Sequence, residues 1–343
     1  MAYKAKTTGD KTNYDLFKKE IKEKKYRNIY VFYGEEDYLI NYYKNLLCNE
    51  LLFEDTKDIN LLLLDENTDL NNLLSNVNSM PFFSDNKVVI VRDSKIFNKG
   101  ENFPDRLKEY IENPLSSTYL IFIESKIKSN SKGLNLVNKY NGLVVNFEYR
   151  PHVELENWAN RVFKDRGKEP ESGLVEYFIS ICNDSMYSIL NEIDKISMYK
   201  GEEKRITRKD VDSICTLSTK AIIFDMTDAM ADGNSSKALN SLDKLIAAKE
   251  EIIVIIASLS SHMYKLLKVK GLLQKRMSND LIASKMATSP YYIRNLAKQC
   301  GRISIDKLKF AVEKCHEIDL NSKTGGNGGR LGLELFICEF TAK

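Results

Sequence analysis

Strand signals alternate with helix signals through the first 150 residues, and at Arg150-Pro151 the strand signals stop. The short apolar run Asn28–Tyr33 suits a buried parallel strand, and Ile59–Leu64, Val88–Val91, Tyr119–Ile123 and Leu143–Phe147 are further strand candidates. Helical stretches near 36–51, 68–77, 104–112 and 130–140 lie between most of them. Parallel strands need long crossover connections, and helices supply them. The alternation therefore predicts an α/β domain over 1–150, built on a doubly wound parallel sheet.

Beyond that point the pattern is helical throughout. Residues 153–166, 171–181, 185–200 and 207–213 read as amphipathic helices, with Gly167 to Pro170 and Gly201 as breakers. They predict a small all-α module over 151–217. A second all-α block follows over 218–343, with helices near 219–232, 235–247, 250–273, 289–300, 304–321 and 330–340. The stretch Lys323–Gly332 holds five glycines and reads as a loop. A chain of 343 residues is long enough for three such domains.

Charge and cysteine usage narrow the function classes. A net charge of +3 gives no global polycation demanding nucleic acid or an acidic membrane. The six cysteines, Cys48, Cys182, Cys215, Cys300, Cys315 and Cys338, are scattered without a C-x-x-C pair. That argues against a zinc ribbon and a disulfide framework. Met1 to Lys6 lacks the apolar stretch of a signal peptide. The longest uncharged apolar run, between Glu251 and Lys265, falls short of the roughly 20 residues a bilayer needs. The reading is a reduced, cytoplasmic protein with no membrane partner.

A parallel sheet followed by a helical module is a common layout for nucleotide-dependent machines, whose first turn carries G-x-x-x-x-G-K-[ST]. Here that turn begins at Gly34, but Leu39 stands at the second glycine, Ile40 at the lysine and Asn41 at the hydroxyl residue. Glu35, Glu36 and Asp37 put negative charge where a helix start would otherwise favour a triphosphate. If Val88–Val91 is the metal-holding strand, its terminal carboxylate is replaced by Arg92, and Asp93 points to the other face. The three histidines, His152, His262 and His316, form no H-E-x-x-H pattern, and no G-x-S-x-G elbow is present. Asp225, Asp228 and Asp232 share a helix face without further ligands at metal spacing, which reads as a solvated or capping face. No cofactor or catalytic residue is predicted.

Two features point instead to partners. Met80-Pro81-Phe82-Phe83 sits on a proline-marked turn, followed by Ser84-Asp85-Asn86 and then the Val88–Val91 strand. Its three large apolar side chains either fold into the core or are offered to a partner. Residues 261–303 carry nine basic residues against one acid, Asp280, with Tyr264, Tyr291 and Tyr292 interleaved. Lys265, Lys268, Lys275 and Arg276 are candidate DNA contacts in that stretch, and Lys323 is another beside the glycines. A solvated surface facing acidic neighbours explains the same pattern.

Several stretches resemble the delta subunits of bacterial DNA polymerase III, the clamp-opening members of the clamp loader. They are Tyr30-Val-Phe-Tyr-Gly-Glu-Glu-Asp-Tyr-Leu-Ile40, Met80-Pro-Phe-Phe-Ser-Asp-Asn-Lys-Val-Val-Ile-Val91, Asn191-Glu-Ile-Asp-Lys-Ile196, Ile223-Phe-Asp-Met-Thr-Asp-Ala229 and Asp319-Leu-Asn-Ser-Lys-Thr-Gly325. The resemblance covers nearly the whole chain in order. It implies an AAA+-like domain of P-loop NTPase type without nucleotide, then an all-α lid and an all-α collar. The collar would join a heteropentamer with the ATP-hydrolysing tau/gamma subunits and delta-prime, and primed DNA would enter the assembled complex. The first domain would bind the beta sliding clamp through Phe82 and Phe83, with Met80 alongside. Relatives often carry leucine where Phe82 stands. Such a chain is a non-catalytic subunit of the polymerase holoenzyme. Two rivals remain: a nucleotide hydrolase with a degenerate phosphate loop, and a stand-alone DNA-binding protein.

Overall fold

A computed structural model describes residues 8–98, 103–125, 127, 131–183, 185–286, 288, 290–324 and 328–342. The chain forms two compact units, Met1–Tyr149 and Arg150–Lys343.

The first unit runs α1 (Thr8–Lys22), β1 (Ile29–Gly34), α2 (Asp37–Leu51), α3 (Lys57–Asn60), β2 (Leu61–Leu64), α4 (Leu70–Asn78) and β3 (Lys87–Arg92). It continues with α5 (Asp105–Glu112), β4 (Thr118–Glu124), α6 (Lys132–Lys139) and β5 (Leu143–Phe147). All five strands pair in parallel, in the order β2-β3-β4-β1-β5. Successive residues alternate faces. Ile29, Val31, Val89, Val91, Leu120, Phe122 and Val144 pack with Leu73, Leu74, Val77, Leu107, Ile111, Leu134 and Val137 of α4, α5 and α6.

The other face is aromatic. Phe17 of α1 meets Phe32 edge-on at 5.3 Å, Phe32 meets Phe147 at 5.1 Å, and Tyr14 meets Phe147 at 5.7 Å. Such edge-to-face pairs add about 0.5–1.5 kcal/mol each beyond their buried area. The α1 helix has no counterpart in the sequence reading. Tyr14 and Phe17 anchor it in the aromatic cluster, and Asn13 donates to the Val144 carbonyl at 2.9 Å.

The second unit opens with α7 (His152–Asp165), β6 (Glu169–Pro170), α8 (Leu174–Ile181), α9 (Met186–Lys200), β7 (Arg205–Ile206) and α10 (Arg208–Ile214). The expected all-α lid is thus corrected in one detail: β6 and β7 pair in parallel. Two-residue strands are too short to show a period of two in sequence, and Pro170 argues locally against a strand. Then follow α11 (Thr219–Ala231), α12 (Ser235–Ala247), α13 (Ile252–Gln274), α14 (Asn279–Met286), α15 (Pro290–Gly301), α16 (Ile305–Thr324) and α17 (Gly329–Ala342). The glycine stretch is shorter as a loop than expected. Lys323 and Thr324 end α16, Gly329 begins α17, and residues 325–327 lie outside the described residues. Across position 217 the unit is continuous: the Ser218 amide donates to the Ile181 carbonyl at 2.9 Å, and Arg294 pairs with Glu176 at 3.7 Å.

By length and composition, α13 is apolar enough to cross a membrane. Ile255, Ile256, Leu259, Met263, Leu266 and Val269 instead place it in the centre of the helical core. That core holds a polar chain. His262 Nε2 donates to Gln299 Oε1 at 3.0 Å, and Gln299 Nε2 donates to Thr227 Oγ1 at 3.1 Å and the Phe224 carbonyl at 3.3 Å. Because the Gln299 amide nitrogen faces acceptors, its oxygen must face a donor, which fixes the proton on His262 Nε2.

Burial pushes the His262 pKa down from 6.5 to about 4, against the opposing pull of the Gln299 bond. In the unfolded chain the ring takes up a proton as pH falls through 6.5, while the folded chain resists. The stabilisation is therefore full above that value and is lost as pH falls toward 4, in total roughly 3 kcal/mol. Chemical denaturation across that window should show stability falling with pH. His262→Leu should be less stable at neutral pH yet lose most of that slope.

Candidate functional site

The turn before β3 leaves its apolar side chains in solvent. Met80 is 75% exposed, Phe82 58% and Phe83 87%, with the two rings edge-to-face at 5.0 Å. Of the two fates open to them, the core is excluded. Burying one Phe side chain is worth about 1.5–3 kcal/mol, so leaving two outside forgoes a substantial gain. Exposed apolar clusters of this kind mark interaction surfaces.

The turn is held rigidly from beneath. Asn60, 1% exposed at the end of α3, accepts from the Phe82 amide at 2.7 Å and donates to the Phe82 carbonyl at 2.8 Å. Asn86 Nδ2 donates to the Leu51 carbonyl at 3.1 Å. Lys87 Nζ, its pKa lowered by burial, donates to the Asn76 carbonyl at 2.7 Å and to Ser79 Oγ. Phe83 itself sits at φ +50°, in the left-handed region that a bulky residue seldom occupies. None of Asn60, Asn86 and Lys87 was selected from sequence. In sequence Asn60 falls within the Ile59–Leu64 strand candidate and Asn86 is an ordinary turn residue, and only their long-range partners give them a role.

At the opposite edge of the sheet, the C-terminal strand ends are closed by the chain's own groups. Only Glu35 and Glu36 separate β1 from α2. Gly34 has φ +132°, and a Cβ there would meet the Phe147 carbonyl oxygen at 2.3 Å. The Glu36 amide donates to that same carbonyl at 2.9 Å, and the buried Glu36 carboxylate caps α2 through the Tyr38 amide at 3.3 Å. Leu39 and Ile40 are buried. Asn41 and Arg92, at the positions of the hydroxyl and the metal-holding carboxylate, bond to each other at 2.9 Å. Burial and the nearby Arg92 cation lower the Lys44 pKa.

Next to Arg92, the Asp93 carboxylate accepts from the Ser125 amide at 2.8 Å. Burial alone would raise its pKa, but hydrogen bonds from Ser125 and the charges of Arg92 and Lys95 bring it below the usual value. Glu124, buried at the end of β4, accepts from Ser94 Oγ and from the Lys95 amide at 3.2 Å. Its pKa is raised by burial. The polar groups at this edge thus satisfy one another.

Of the candidate DNA contacts, Lys268, Lys275 and Arg276 are exposed on the second half of α13 and the turn after it. Lys265 lies 6.0 Å from the centre of the Tyr292 ring. Lys323 stands apart from them. Lys307 over Phe340 and Ser322 against Gly329 make α16 and α17 a hairpin, and Arg330 pairs with Asp243 near the end of α12. Lys323 pairs with Asp319 at 2.7 Å.

Other basic residues of this stretch serve the fold. Lys270 donates to the Cys300 carbonyl at 2.7 Å, and Arg302 is bracketed by Asp228 and Asp232. The aspartate face of α11 is therefore an ion-pairing surface. Asp225 on it has a pKa raised by burial.

A five-stranded parallel sheet whose phosphate turn lacks its binding groups, with an exposed aromatic turn at the other end of β3, defines an α/β domain of nucleotide-hydrolase layout without its nucleotide site, followed along the chain by a helical unit. Residues 30–148 match the family model for the DNA polymerase III, delta subunit, and residues 220–340 match that for the DNA polymerase III delta subunit, C-terminal domain. The chain belongs to the DNA polymerase III delta subunit family. It is 24% identical over 329 residues to DNA polymerase III subunit delta of Bacillus subtilis (strain 168), covering 94% of this chain and 95% of that protein. To the probable DNA polymerase III subunit delta of Aquifex aeolicus (strain VF5) it is 24% identical over 256 residues, 72% of each chain. Among solved structures it is similar to the Bacillus subtilis DNA clamp loader delta protein, with a TM-score of 0.55 and 22% identity. That match covers 96% of this chain and 100% of the other, and it is a likeness of fold.

With the phosphate turn occupied by Glu36, Leu39 and Ile40, the chain should not bind ATP. Isothermal titration with ATP and magnesium should give no saturable heat, whereas micromolar binding would restore the nucleotide-hydrolase reading.

Proposed function

We propose that this chain is the clamp-opening subunit of a cytoplasmic bacterial clamp loader. Phe82 and Phe83, with Met80, would enter an apolar pocket on the beta sliding clamp and favour its opened state. The observation that carries this reading is the aromatic pair, exposed yet held through the backbone by the buried Asn60, in a chain of the delta family. Two aromatic anchors of this kind contribute about 2 kcal/mol or more each when buried in an interface. Opening a ring needs no hydrolysis by the subunit that opens it. A protein that binds the open form better than the closed one shifts the population by that difference in affinity.

On this reading residues 1–150 form the clamp-binding AAA+-like domain, 151–217 the lid and 218–343 the collar. The collar would join tau/gamma and delta-prime in a heteropentamer. Within the assembled complex, Lys268, Lys275 and Arg276 form the stretch best placed for primed DNA, since each is exposed. Lys323, in the last turn of α16 and paired with Asp319, would belong to a separate surface. A hydrolase reading is disfavoured by the Asn41–Arg92 bond across the former nucleotide positions.

Replacing Phe82 and Phe83 together by alanine should weaken clamp binding at least about tenfold, a loss of about 1.4 kcal/mol. The thermal melt should barely move, because neither side chain is part of the core. A collapsed melt with clamp binding lost only in proportion would instead assign the pair to the fold.

A second test separates clamp contact from assembly. A chain ending at Tyr149, at the boundary of the first compact unit, should still bind the clamp but fail to enter the loader ring in gel filtration. Normal ring entry by the shortened chain would remove the proposed role of the collar.

A further inference from the structure

Both backbone hydrogen-bonding groups of Phe82 are taken by one side chain, Asn60. The second amide hydrogen of Asn60 goes to the Thr56 carbonyl at 3.0 Å. Its carbonyl oxygen and both N–H groups are therefore engaged, and only one orientation of the amide fits a donor on one side and two carbonyls on the other. The residue is 1% exposed, while the one it holds is 58% exposed. A buried amide thus fixes an exposed aromatic, and the next residue, Phe83, occupies the left-handed region at φ +50°.

We infer that Asn60 is the positioning residue of the partner-binding turn, holding Phe82 and Phe83 in their binding arrangement before any partner arrives. This rests on the clamp-binding reading above. It adds what sort of contact the partner makes. With its N–H given to Asn60 and its carbonyl turned to the same side chain, Phe82 has no main-chain donor left for a strand ladder, so recognition there is by side chains entering an apolar pocket and not by strand addition. An aromatic pair fixed in advance avoids the ordering cost that a flexible turn meets on binding.

The test uses the full chain with 4-fluorophenylalanine incorporated, the Phe82 and Phe83 fluorine signals being identified by their loss in the single alanine variants. In the free unaltered chain the two signals should be distinct. In Asn60→Leu they should move toward the value of a solvent-averaged ring, while the signals of core phenylalanines stay in place. Binding of that variant to the purified sliding clamp should fall about tenfold. In the Phe82→Ala/Phe83→Ala background the same substitution should cost nothing further, since it acts only through those rings.

Asn60→Asp gives a readout that a merely structural role would not move. An ionised carboxylate would face the Phe82 and Thr56 carbonyls, and protonation would return a donor. Clamp affinity of this variant, relative to the unaltered chain at each pH, should therefore recover as pH is lowered. Should Asn60→Leu disturb the core signals, Asn60→Ala, which removes the bonds to Phe82 and Thr56 without adding bulk, is read in its place. A folded Asn60 variant with unchanged fluorine signals and unchanged clamp affinity overturns the assignment. Failure of the unaltered chain to bind the clamp overturns the functional reading instead, and the fluorine signals of the free protein tell the two failures apart.

Discussion

The pairing of β3 between β2 and β4 is the constraint on which the rest of the first unit depends. Lys87 to Val91 are buried on both faces, with Val89 and Val91 packed against α4, α5 and α6, so sliding the strand by one residue would exchange the side chains that meet those helices and pull Lys87 from its acceptors, Asn76 and Ser79. Its two ends carry the two halves of the story. At the amino end stands the aromatic turn, and at the carboxyl end Arg92 bonds Asn41. Ligands of open α/β sheets bind at the carboxyl ends of the strands. Here that edge is filled by the chain's own polar groups, and the exposed apolar surface lies at the other. A strand of six residues puts the two roughly 20 Å apart.

This arrangement explains why so many buried polar groups gather around one short turn. An exposed aromatic turn free to collapse would bury its rings against the nearest apolar surface and lose its shape. Asn60 prevents that by bonding the Phe82 backbone directly, while Asn86 ties the end of the turn to Leu51 and Lys87 ties it to Asn76 and Ser79. The hydrogen bonds contribute about 1 kcal/mol each, and leaving a buried partner of any one of them unsatisfied would cost more. The left-handed backbone at Phe83 persists because these surroundings over-determine it.

Most of the fold was legible because its signals are dense. The β1, β3, β4 and β5 strands are runs of buried apolar residues, and their boundaries fall within a residue or two of those read from sequence. Elements with thin signals were missed. The α1 helix was not read, α14 is one short helix in a charged stretch, and β6 and β7 have two residues each. Side-chain roles were less legible than elements. Composition shows nine basic residues near α13, but only the folded chain shows that Lys270 and Arg302 are spent within the fold. The exposure of Phe82 and Phe83 was an open choice in sequence, since an aromatic turn before a strand reads the same either way. The residue that decides the choice, Asn60, lies 22 positions from Phe82.

The energetics of such a device run through binding alone. Taking a two-state ring from mostly closed to mostly open, from 1:99 to 99:1, requires about 5.5 kcal/mol of preference for the open form. Two aromatic anchors at about 2 kcal/mol or more each come within reach of that figure only if they meet the open form selectively. Anchors that fit both forms equally would bind tightly and open nothing. Selectivity demands a surface whose own shape does not adapt to whichever form it meets. On the proposed reading, that is the physical reason for a rigid aromatic turn on a β3 strand, with a buried amide beneath it and no chemistry at the opposite edge.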